Sequence, residues 1–134
     1  MIGYAAGASI TTGTRNTVVG YAAADAIGVG GMNYTVAIGS FALTAATNTS
    51  DASVVIGDAA AGNSVGFSSG VAIGHAAAYT NTANALVAIG YESGYANTGP
   101  YNTFLVIKLE EKIRLEIKIP QWVIKLFIQI FLVI

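Results

Sequence analysis

The sequence predicts an all-β fold, a parallel β-solenoid of six to seven short coils followed by a non-repeat tail. Three observations predict it. One phrase recurs: Ile2-Gly3, Val18-Val19-Gly20, Val36-Ala37-Ile38-Gly39, Val54-Val55-Ile56-Gly57, Val71-Ala72-Ile73-Gly74 and Val87-Ala88-Ile89-Gly90. The closing glycines, Gly3, Gly20, Gly39, Gly57, Gly74 and Gly90, are spaced by 16–19 residues. A short near-constant period marks a stack in which each repeat is one coil. Between the phrases lie Ala, Gly, Ser, Thr and Asn. These runs are too small and too broken by glycine to form amphipathic helices.

Each element follows the same rule. Met1-Ile2-Gly3-Tyr4 enters a repeat at once, without the basic and apolar regions of a secretory leader, so the chain reads as a piece of a longer protein. Val18-Val19 and the four phrases after it are β-branched runs that suit strands. Side chains alternate along a strand, so Val71 and Ile73 share one face and Ala72 takes the other. The glycine that closes each phrase permits a bend that a Cβ would obstruct. Asn and Gly suit the corners, as in Asn16-Thr17, Asn81-Thr82 and Asn97-Thr98, and small residues suit a narrow coil. Stacked at about 4.8 Å per coil, the strands would build a rod of roughly 30 Å. So thin and alanine-filled a core usually needs oligomerisation.

Composition narrows the function. Charged residues are 10% of the 134 and net charge is −1, which gives no electrostatic basis for binding nucleic acid. There is no cysteine, hence neither disulfides nor thiolate metal sites, and the single His75 cannot build a zinc site alone. The chain also divides sharply. All sixteen glycines lie at or before Gly99, and residues 1–105 carry five charges: Arg15, Asp25, Asp51, Asp58 and Glu92. Residues 106–134 carry eight charges and eight isoleucines.

The phrases Thr35-Val36-Ala37-Ile38-Gly39 and Gly70-Val71-Ala72-Ile73-Gly74-His75-Ala76-Ala77-Ala78 resemble the S-V-A-I-G-x-x-A-x-A head repeats of trimeric autotransporter adhesins, the YadA-like heads. The resemblance covers residues 1–105. It implies a left-handed parallel β-roll, a homotrimer, and display at a bacterial cell surface or outer membrane as part of a longer adhesin. The usual repeat is nearer fourteen residues. The longer Asn-Thr variety here is also similar to stalk repeats of phage tail-fibre-like proteins, which would place the chain in a virion.

Residues 106–134 read as a frame-shifted continuation of the repeats. Asn102-Thr103-Phe104-Leu105 calls for a glycine at 106, where Val106 stands. Suitable synonymous codons for 106–134, with one G restored in front, translate in the shifted frame to GYKAGGKNTTGNKNTAMGYKAFYSNISGN. That string supplies the glycine, Asn-Thr corners and a new phrase at the right spacing. The competing reading takes the tail as genuine. Ile113–Ile119 then alternates as a strand, Pro120 stops it, and Trp122–Ile134 is too short and too interrupted to cross a bilayer as a helix. Either way the segment is β-prone and prone to aggregate.

The repeat register lines up the residues after the closing glycines, Tyr4, Tyr21, Ser40, Asp58, His75 and Tyr91, as a surface ladder. Asp58 and His75 then lie on neighbouring coils about 5 Å apart. With no nucleophile beside the pair and no cleft expected, it reads as an ordinary surface position. Gly28-Val29-Gly30-Gly31 lacks the lysine and helix of a phosphate-binding loop and reads as a corner. The sequons Asn33-Tyr34-Thr35 and Asn48-Thr49-Ser50 read as corners too. The seven tyrosines suit either a binding surface or packing between chains. The expected function is therefore non-catalytic attachment to a host protein or glycan receptor, without cofactor or metal, and the alternative is a structural stalk. An enzyme is disfavoured because no paired carboxylates converge.

Overall fold

A computed structural model describes residues 1–26, 31–45 and 51–106. It holds six strands: β1 (Thr17–Val19), β2 (Val36–Ile38), β3 (Val54–Ile56), β4 (Val71–Ile73), β5 (Val87–Ile89) and β6 (Thr103–Leu105). All six form one parallel sheet in sequence order. Ile2 adds a parallel bridge to Val19 below β1. The chain is thus a β-solenoid of about five turns, with no helix among the described residues. Residues 107–134, and with them nearly all of the tail, lie outside the described residues.

The register puts like on like. Val36, Val54, Val71 and Val87 pair in one column, and Ile38, Ile56, Ile73 and Ile89 in another. The middle residue of each of the first five strands points inward: Val18, Ala37, Val55, Ala72 and Ala88 are buried. The residues on either side point out and are partly covered, with Ile89 the most exposed of them. The bore explains this choice. A coil of sixteen to nineteen residues leaves little interior, and Ala23, Ala42, Ala60 and Ala77 already fill the facing wall. Met32, Leu43, Phe67 and Leu86 occupy the wider corners.

After each of the first five strands comes the closing glycine. Gly39 has φ +138°, and a Cβ there would lie 2.3 Å from the carbonyl oxygen of Gly57 on the next coil. The residue two places on is left-handed in every coil: Ala5, Ala22, Phe41, Ala59, Ala76 and Glu92 all have φ between 49° and 54°. So are Ala24, Leu43, Ala61 and Ala78, two places further. A left-handed non-glycine residue costs about 1–2 kcal/mol. Hydrogen bonds between coils offset that cost, for example from Ala24 N to Ala42 O at 2.9 Å and from Ala61 N to Ala77 O at 2.8 Å.

The far corners are held by short polar side chains. Ser53 Oγ donates to the carbonyls of Asp51 and Phe67 at 3.1 Å. Asn16 donates to the Met32 carbonyl and buried Asn81 to that of Ala83. Asn97 Nδ2 donates to Asn81 Oδ1 at 2.9 Å, and Asn102 Nδ2 to Asn97 Oδ1 at 2.8 Å. The result is an asparagine spine. It satisfies the polar groups of the corner backbone.

Candidate functional site

Function has to be sought on the outside of the coils. The residues following the closing glycines rise up one side of the rod. Tyr4 stacks on Tyr21 with ring centroids 5.4 Å apart, and His75 on Tyr91 at 5.1 Å. Between these stacks the ladder changes character. Ser40 carries no ring, and the aromatic contact passes to its neighbour Phe41, edge-on to Tyr21 at 5.3 Å. Asp58 Oδ2 lies 3.5 Å from His75 Nε2, with both side chains about half exposed. So open a pair contributes little to stability. Tyr91 is exposed, and its phenol is raised above its ordinary value of 10.0 by the Glu92 carboxylate, first through a hydrogen bond and then through its negative charge.

Beside the ladder runs a shallow, open groove that His75 lines and Asp58 does not. The groove forms because the residues flanking it differ in size. Five places after the closing glycines stand Thr44, Gly62, Tyr79 and Tyr95. Tyr79 stacks on Tyr95 at 5.3 Å, but the next rung down is Gly62, and no ring covers that side. Between this column and the ladder, the floor is left-handed Ala59 and Ala76. One recess of about 320 Å³ lies between Phe41 and Tyr79. A second, of about 260 Å³, lies between His75, Tyr79 and Glu92. They share Ala59 and Tyr79 and form one furrow.

Phe41 was not singled out from the sequence, although a signal was there. It stands in a column that is alanine on four of six rungs, and it is 44% exposed. The described residues contain no cluster of three or more metal-ligating side chains. The phosphate-loop candidate falls mostly at 28–30, outside the described residues, and only buried Gly31 is seen. Asn33 is engaged at its corner: Thr14 N donates to its Oδ1 at 3.0 Å and its Nδ2 donates to Asp51 Oδ1 at 3.1 Å. The second sequon also lies outside the described residues. No helix among them is long and apolar enough to cross a membrane.

Comparison with protein-family models, with curated proteins and with solved structures finds no match for this chain.

Proposed function

We propose that the chain is the head segment of a surface-displayed fibrous adhesin, non-catalytic, acting as a homotrimer on a bacterial cell surface. The observation that carries this reading is the outer face of the sheet. Val36, Val54, Val71 and Val87, with Ile38, Ile56, Ile73 and Ile89, form two unbroken apolar ladders that the chain itself only half covers. A continuous apolar surface left partly uncovered in this way marks an interaction site. Packing identical faces about a symmetry axis would bury it, and would supply the core that one narrow coil lacks. The other faces stay free and repeat along the rod. Weak contacts repeated in this way gain strength by multivalency.

The test is analytical ultracentrifugation with circular dichroism on the same sample, followed by attachment of the labelled protein to host-cell and matrix-coated surfaces. A β-rich trimer that attaches supports the reading. A folded monomer that attaches to nothing overturns it.

The second reading, a structural stalk of a phage tail-fibre-like protein, is favoured by the long coils and their asparagine spine at Asn81, Asn97 and Asn102. Genes beside the coding sequence separate the two: phage assembly genes on one side, a membrane-anchor strand set on the other.

A further inference from the structure

We propose that the furrow between Phe41 and Glu92 is a binding site for a neutral oligosaccharide. This rests on the adhesion reading and names the ligand class for it. Phe41 and Glu92 occupy the same column three coils apart, so the furrow is about 14 Å long by the spacing between strands. That is room for a short oligosaccharide.

Three features point to a sugar. The first is Tyr79. Rings stacked within a ladder offer only their edges, but Tyr79 has a ring partner on one side alone. On its other side the ring edge lies against Gly62, where a Cβ would come within 3.0 Å of its Cε2, and beside that contact the recess begins. A partly exposed aromatic ring next to an apolar floor suits the C–H face of a pyranose. The second is Phe41, held left-handed at φ 53° where the rungs on either side carry alanine. Its ring meets Tyr21 edge-on at 5.3 Å, yet it stays 44% exposed and lines the recess, where a ligand would meet it. The third is the rim. Asn63, Glu92 and His75, the last paired with Asp58, offer hydrogen-bond acceptors and donors to hydroxyl groups.

The same features argue against other occupants. No lysine or arginine lines the furrow, and its carboxylate repels sialylated or sulfated chains. A peptide strand would need free backbone donors. The floor has none to give: Ala59 N donates to Ser40 O, Ala76 N to Asp58 O and Gly62 N to Ala59 O.

Saturation-transfer NMR on the full chain tests the proposal. The probes are maltotriose, cellotriose, chitotriose and lacto-N-tetraose, with sialyllactose as the anionic comparison. Phe41→Ala restores the residue found on neighbouring rungs, so the fold is kept. The expected result is saturation of at least one neutral sugar, with affinity about tenfold lower in Phe41→Ala and in Tyr79→Ala. Binding unchanged in Phe41→Ala, preference for sialyllactose, or no binding of any neutral probe each overturns the proposal. Attachment to host surfaces, measured on the same protein, distinguishes the two failures. If it persists without sugar binding, only the furrow is wrong; if it is absent, the adhesion reading falls as well.

Discussion

Gly39 and Gly57 approach so closely that a methyl group on Gly39 would sit 2.3 Å from the Gly57 carbonyl oxygen. The same holds up the column, where the corresponding distance from Gly57 to Gly74 is 2.5 Å. Gly39→Ala therefore meets a backbone clash and an unfavourable φ at once. The expected loss is about 2–6 kcal/mol, from backbone strain and overpacking together. Urea unfolding followed by circular dichroism measures it. Gly99→Ala, where the nearest neighbour to a Cβ is the flexible Asn102 amide at 3.2 Å, is the control and should stay within about 0.5 kcal/mol.

The outward ladders give a second prediction. Ile56→Lys puts a charge at the middle of the exposed sheet face. Ile56 is only half-buried within its own chain, so the coil should keep its circular dichroism spectrum. A trimer that buries this face would dissociate, because an unpaired buried charge is costly. Sedimentation velocity reads the outcome directly. An unchanged sedimentation coefficient would mean that this face is not the contact.

A third prediction concerns Tyr91. Glu92 raises its phenol through a hydrogen bond and through its charge. Glu92→Gln removes the charge and should bring the titration midpoint back towards 10.0. The sign follows from the raised value. The folded chain holds this proton more tightly than the unfolded one, so the contribution is complete below pH 10 and fades as pH rises through the raised midpoint. NMR titration of ring-labelled tyrosine in the two proteins shows the shift. The exposure of Tyr91 keeps the effect on stability small.

The tail gives the fourth. Val106 N donates to Ile89 O at 2.9 Å, just as Gly90 N donates to Ile73 O at 2.8 Å. Val106 therefore stands on the closing-glycine rung. We expect resequencing of the source DNA across codons 105–107 to reveal one missing base, whose restoration puts glycine at 106 and continues the coils. An in-frame tail in independent clones would refute this.

The stack was legible because its signal repeats. Six copies of a β-branched run and a glycine reveal coil length and register, and register alone set Asp58 beside His75. The direction in which each strand faces was not legible. Alternation gives two faces, and valine and alanine are both apolar, so only the width of the bore decides that Ala72 goes in and Val71 out. The furrow was harder still. It depends on how Gly62, Tyr79 and Phe41 differ across three coils, and those differences gain meaning only once the coils are superposed. Phe41 could have been found by writing the six coils under one another.

Backbone hydrogen bonds between coils run along the axis of the rod, and this has a mechanical consequence. A pull applied at one chain end enters at the perimeter of the terminal coil and peels its bonds in succession. Coils then release one at a time while the next stays shut. Each frees sixteen to nineteen residues, worth about 60 Å of extended chain. The rod is therefore stiff under small loads and lengthens in steps under large ones.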